Sequence, residues 1–124
     1  MPKKAMEILT ESMFYCLMAL RRCPMCGIDI AAFVDGITRG RVQLGPATLY
    51  TILGKFEKEG YIAETSVTGR KRTYTITDKG IDAYEEELAR LKACIADAET
   101  AHDAYLEDAA PRQLTGEAQM VPGV

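Results

Sequence analysis

The sequence predicts a mainly α-helical fold with one small β-hairpin and a long C-terminal helix. Three patterns predict it. From Pro46, the apolar residues Leu49, Ile52, Leu53 and Phe56 recur at i, i+3, i+4 and i+7, the spacing of one buried helical face. Residues 61–67 and 73–77 are rich in β-branched side chains and are separated by a short turn containing Gly69, the signature of a hairpin. Finally, Ile81, Tyr84, Leu88, Leu91, Ile95, Ala98, His102 and Tyr105 alternate steps of three and four, an unbroken a/d seam.

In chain order, residues 5–22 read as a first helix. Ile8, Leu9, Met13, Phe14, Cys16, Leu17, Met18 and Leu20 cover most of its circumference, so it is expected to be buried on more than one side. Cys23-Pro24 ends it, because proline disfavours helix at the preceding residue. Residues 27–38 read as a second helix, with Ile30, Ala31, Phe33, Val34 and Ile37 apolar, and Arg39-Gly40-Arg41 closes it. Arg39 and Arg41 are equally suited to touching phosphate and to forming a solvated turn. Pro46 marks the third helix, since its φ is preset and the first turn has no use for its missing N–H. Gly60 stops that helix.

The outer face of the third helix carries Ala47, Tyr50, Thr51, Gly54, Lys55 and Lys58, with Thr48 beside it and Glu57 and Glu59 only on its flanks. Small residues permit close approach to a duplex, hydroxyls bond phosphates and base edges, and lysines neutralise phosphate. Taken alone, this face reads first as a solvated helix surface. The hairpin that follows changes the balance, because its tip holds Arg70, Lys71 and Arg72, three mutually repelling cations that ask for an anionic partner. Helix, hairpin and basic tip in this order are the parts of a winged helix-turn-helix, with the helix in the major groove and the wing along the adjacent backbone.

The charge distribution agrees. The chain has 124 residues and a net charge of −3. Residues 39–79 nevertheless hold eight cations against four acids, residues 80–124 hold three cations against ten acids, and residues 1–38 balance. Positive charge is gathered where nucleic acid would lie, and acid elsewhere discourages wrong orientations.

After the wing, Thr77 is suited to cap the last helix and Asp78 to sit on the positive end of its dipole. At 1.5 Å per residue the seam extends about 40 Å. One small domain cannot cover such a helix alone, so Tyr84, Leu88, Leu91 and Ile95 are expected to meet a second subunit. His102 falls on this seam as a packing or register residue. From Glu107 the sequence has no period and reads as a flexible tail. The expected organisation is therefore residues 1–77 for DNA binding, 78–106 for dimerisation and 107–124 as tail.

Residues Gly45-Pro46-Ala47-Thr48-Leu49-Tyr50, then Leu53, Glu57, Glu59-Gly60-Tyr61-Ile62, Gly69-Arg70-Lys71-Arg72-Thr73-Tyr74 and Ile76-Thr77-Asp78-Lys79-Gly80 closely resemble the PadR family of transcriptional regulators. The resemblance covers about residues 5–105, and Thr-Leu-Tyr followed by Thr-Asp-Lys-Gly is its specific part. The short C-terminal part resembles the subgroup with a single dimerisation helix. Gly54 stands where many members carry a bulkier or charged residue. The resemblance implies a homodimeric repressor of double-stranded DNA that answers to a small hydrophobic or phenolic effector. Members bind such compounds between dimer helices and DNA-binding domains, sometimes between tryptophans. This chain has no tryptophan, so Phe14, Met13, Met18, Tyr84 and Leu88 are the residues expected to line a pocket.

On this reading Thr48, Tyr50 and Thr51 contact backbone or base edges, Lys55 and Lys58 hold phosphate, and Arg70, Lys71 and Arg72 follow the flanking strand. Tyr50 also competes for a packing role at the edge of the apolar stripe. Two other readings remain open. One is a winged-helix protein-interaction module without DNA binding, which a gel shift with the protein's own upstream region separates. The other is a thiol- or metal-responsive regulator built on Cys23 and Cys26, whose C-x-x-C spacing by itself has a high false-positive rate. Cys16 and Cys94 are expected to be buried thiols. A structural zinc site needs four ligands and there is no second C-x-x-C, so no metal or cofactor is expected. Without a phosphate loop, a nucleophile elbow or a paired His/Asp constellation, no enzyme is expected either. No apolar run approaches the roughly 18 residues of a membrane span, and the N-terminus has no signal-peptide h-region, so a cytoplasmic location is expected.

Overall fold

The computed structural model describes residues 9–115, with side chains to residue 106. Four helices and a three-stranded antiparallel sheet follow the chain as α1 (Glu11–Arg22), β1 (Met25–Cys26), α2 (Gly27–Ile37), α3 (Pro46–Glu59), β2 (Ile62–Thr68), β3 (Lys71–Ile76) and α4 (Asp78–Thr115). This is the winged-helix arrangement with a long final helix. The chain divides into two compact units between Leu88 and Ala89.

α1 starts later than its apolar pattern suggested. Thr10 caps it: the Met13 N–H donates to the Thr10 hydroxyl at 3.1 Å, and the Thr10 N–H donates to the Met13 sulfur at 3.5 Å. The expected turns before Thr10 mostly lie outside the described residues, but Leu9 and Thr10 themselves are not helical. Met13, Phe14, Cys16, Leu17, Ala19 and Leu20 are buried, so α1 forms the centre of the first unit, as its wide apolar surface required.

The segment after α1 is not only a turn. Met25 and Cys26 form β1, which pairs with Tyr74 and Thr73 of β3, so the sheet order is β1-β3-β2. Two residues carry too little pattern to be read as a strand. α2 then buries Ile30 and Val34. Its C-cap residue Thr38 is buried, and its hydroxyl donates to the Val34 carbonyl at 2.7 Å and accepts from the Val42 N–H at 3.0 Å. That one side chain ties the end of α2 to the turn entering α3. Arg39 and Gly40 both have positive φ, 54° and 79°, which reverse the chain there.

α3 begins at Pro46 and ends in a Schellman motif. Gly60 has φ 80°, the Tyr61 N–H donates to the Phe56 carbonyl at 2.8 Å, and the Gly60 N–H donates to the Glu57 carbonyl at 3.1 Å. Its stripe of Leu49, Ile52, Leu53 and Phe56 is buried. Each such side chain contributes about 1.5–3 kcal/mol relative to exposure.

The hairpin turns at Gly69-Arg70, and Gly69 supplies the positive φ (62°) that a two-residue turn requires. Lys71 and Arg72 therefore lie on β3 rather than in the turn. A bulge between Glu64 and Ser66 twists the outer half of β2.

α4 is capped by Thr77, whose hydroxyl accepts from the Gly80 N–H at 3.1 Å. Its first turns belong to the first unit. The rings of Phe14 and Tyr84 stack at 5.0 Å and 16°, and Arg21 pairs with Glu85 at 3.4 Å. The compact boundary thus falls eleven residues after the expected one, at Leu88 instead of 77. At its other end α4 continues through Thr115, so residues 107–115 of the expected tail are helical. Loss of apolar period removes a buried face but not the hydrogen-bonded backbone. Residues 116–124 of that tail lie outside the described residues.

Candidate nucleic-acid interface

The candidate surface is built on α3, whose buried stripe fixes which side chains face outward. Thr48, Tyr50, Thr51, Lys55 and Lys58 are all exposed, and Gly54 between them leaves open space above the helix. Tyr50 is 49% exposed because its ring lies down on α2 instead of projecting freely. A Cβ added at Gly27 would come within 2.8 Å of the Tyr50 ring. Tyr50 therefore packs against α2, and its hydroxyl is the atom seated nearest to Gly27.

The wing brings its cations to the same place. Arg70, Lys71 and Arg72 line a cleft of about 330 Å³ together with Tyr50 of α3 and Cys26, Gly27, Ile28 and Asp29 at the start of α2. Four of the eight expected interface residues thus meet around one opening. Thr48, Thr51, Lys55 and Lys58 are on α3 outside it. Gly27, Ile28 and Asp29 gave no signal in the sequence. The nearest hint is that Ile28 falls outside the Ile30–Val34 apolar face, and it is 76% exposed.

The cations divide into two groups. Arg21 pairs with Glu85, and Arg41 pairs with Glu11 at 2.8 Å and also donates to the Tyr15 hydroxyl at 2.9 Å. Those bonds to Glu11 and Tyr15 hold the Arg41 guanidinium above its ordinary range. Arg41 is thus engaged by Glu11 and Tyr15 within the fold. Arg72 is partly engaged, 3.7 Å from Glu64. Arg70, Lys71, Lys55 and Lys58 form no ion pair among the described residues. Arg22, Arg39, Lys79 and Lys92 form no ion pair among the described residues either, so the wing tip and the outer face of α3 hold four of the cations left without acids.

The other expected sites are placed differently. Phe14, Met18, Tyr84 and Leu88 belong to α1 and the first turns of α4, where Phe14 is buried and the others are half-buried. Burial raises the Tyr84 phenol above its usual range, and Glu85 adds to the effect. Along α4, Leu91 is half-buried and Ile95 is 58% exposed.

Of the cysteines, Cys16 is fully buried, and burial pushes its thiol up to about 12. Cys94 is exposed, which corrects the expected burial: it lies beside the seam position Ile95, and its sulfur takes a 3.8 Å hydrogen bond from Arg90. Cys23 is exposed and Cys26 buried, both as free thiols, and Cys26 donates to the Asp29 carboxylate at 3.4 Å. Among the described residues no group of His, Cys, Asp and Glu is arranged to hold a metal ion, and no helix is long and apolar enough to cross a membrane.

Solved structures share this fold. A transcriptional regulator from Clostridium thermocellum matches with a TM-score of 0.65 at 21% identity, covering 75% of this chain and 97% of its own. A PadR family transcription regulator from Clostridium difficile R20291 matches with a TM-score of 0.60 at 20% identity, covering 78% and 99%. RosR of H. salinarum matches with a TM-score of 0.58 at 20% identity, covering 75% and 96%. No curated protein sequence matches the chain. The model of the transcriptional regulator PadR-like family matches residues 16–86, from the middle of α1 to the third turn of α4, and the chain belongs to that family.

Proposed function

We propose that this protein is a homodimeric, sequence-specific repressor that binds double-stranded DNA. In this reading α3 enters the major groove. Thr48, Tyr50 and Thr51 meet backbone or base edges, Lys55 and Lys58 hold phosphates, and Arg70 and Lys71, with Arg72 behind them, follow the flanking strand. The observation that carries the reading is the shared cleft: Tyr50 of α3 and the three wing cations line one opening, so helix and wing meet at one surface. Two subunits paired through α4, by way of Leu91 and Ile95, would place two half-sites about one helical turn apart. A small hydrophobic or phenolic effector would act at the stacked Phe14 and Tyr84 with Met18 and Leu88, where the first turns of α4 meet α1.

The test is charge reversal at Arg70 and Lys71 (R70E/K71E), with binding to a short duplex followed by fluorescence anisotropy over a salt series. Affinity at low salt falls by more than about tenfold, and the logarithmic salt slope flattens by about two, one for each lost phosphate contact. Unchanged affinity at low salt would sink the assignment.

A further inference from the structure

The cleft between the start of α2 and the wing has a use that the helix-and-wing reading leaves unassigned. Its floor is Gly27, bare of a Cβ and covered by the Tyr50 ring. One wall is Arg70, Lys71 and Arg72, and the other is Cys26, Ile28 and Asp29. Of the three cations only Arg72 forms an ion pair, with Glu64 at 3.7 Å, so Arg70 and Lys71 bring two unpaired positive charges to the cleft. The opposite wall is the N-terminal turn of the 11-residue α2, and its capping residue Cys26 offers those N–H groups no side-chain hydrogen bond. Both walls therefore favour an anion, one through full charges and the other through oriented amides.

Asp29 is the exception. It lines the same cleft as the cations, is exposed, and forms no ion pair among the described residues; its carboxylate accepts only the Cys26 thiol at 3.4 Å. A negative charge there opposes any phosphate entering the cleft.

We infer that this cleft seats one phosphate of the DNA backbone, gripped jointly by the start of α2 and the wing, and that Asp29 sets an upper limit on how tightly it is held. The proposal rests on the DNA-binding reading. It adds a second element, α2, to the contact surface and a residue that weakens binding. A phosphate in the cleft shares its lining with Asp29, so like-charge repulsion in a partly solvated setting opposes it and removing that charge strengthens binding. The effect acts on every sequence alike, because phosphate contacts carry no base information. Asp29 thereby lowers non-specific affinity and leaves discrimination to the outer face of α3.

The test uses the full chain with Asp29→Asn, which keeps an oxygen for the Cys26 thiol. Binding to a short duplex of arbitrary sequence is measured by anisotropy at low and high salt, with a thermal melt to confirm folding. D29N binds about three- to tenfold more tightly at low salt, and the gain shrinks as salt rises. In the R70E/K71E background the same substitution gives no gain, because the cations that hold the phosphate opposite Asp29 are gone. Unchanged or weaker binding by D29N overturns the proposal, as does an equal gain in both backgrounds. In either case the loss caused by R70E/K71E alone still stands for the DNA-binding reading. Millimolar inorganic phosphate competes with DNA no better than chloride of matched ionic strength. Stronger competition that D29N enhances would assign the cleft to a free anion and overturn its assignment to the duplex.

Discussion

Gly80, in the first turn of α4, lies directly against the backbone carbonyl of Tyr61. A Cβ at Gly80 would run into that carbonyl oxygen, 3.0 Å from its carbon and 2.8 Å from Ile76 Cγ1. The same carbonyl accepts the Thr77 N–H at 2.9 Å and the Thr77 hydroxyl at 3.0 Å. The Thr77 hydroxyl also reaches the Gly60 carbonyl at 2.7 Å. The Thr-Asp-Lys-Gly run is thus a clasp between the end of α3 and the start of α4, with Lys79 lying 5.7 Å from the centre of the Tyr61 ring.

Gly80→Ala is therefore expected to destabilise the fold by about 1–3 kcal/mol, since backbone and not a flexible side chain must give way. Urea denaturation measures it, as a lower midpoint with an unchanged slope. Gly54→Ala, on the open side of α3, is the contrast and is expected to stabilise by about 0.5–1 kcal/mol through helix propensity.

The buried thiol of Cys16 gives stability a pH dependence at the alkaline end. Its folded value is raised from 9.0 to about 12 by burial, so the folded state holds a proton that the unfolded state releases first. The contribution is complete below pH 9.0 and declines as pH climbs toward about 12, at no more than about 1.4 kcal/mol per pH unit. Burial leads the causes that raise Tyr61, Tyr74 and Tyr84 above 10.0, and these add the same sign at higher pH. Urea midpoints of wild type and Cys16→Ala measured just above pH 9 isolate the thiol. The wild type declines with pH there and the variant stays flatter.

The α4 seam gives a prediction about assembly. Leu91→Glu with Ile95→Glu places two charges where the proposed dimer buries apolar surface. By sedimentation velocity, wild type is expected as a dimer and the double variant as a monomer in dilute solution. Wild-type monomer, or a variant that stays dimeric, would remove the seam from the interface. The first unit contains neither residue and is expected to keep its thermal melt.

Sequence alone did not determine where α1 begins or where α4 ends, but it determined the order of the helices and the hairpin and which face of α3 is buried. Each of these follows from short-range chemistry: the apolar period from Leu49 to Phe56, the fixed φ of Pro46, the left-handed stop at Gly60 and the turn at Gly69. Tertiary structure decided what depends on partners distant in the chain. Two residues, Met25 and Cys26, became a strand only because β3 offered an edge to pair with. Arg41 and Arg70 look alike in sequence, yet one found Glu11 and Tyr15 while the other was left without an acid. Gly27 and Tyr50 lie 23 positions apart, and packing between α2 and α3 turned them into the floor and cover of a single cleft. Local patterns specify which face of an element is apolar, but which surfaces then meet is settled by packing, and that is where the candidate site lies.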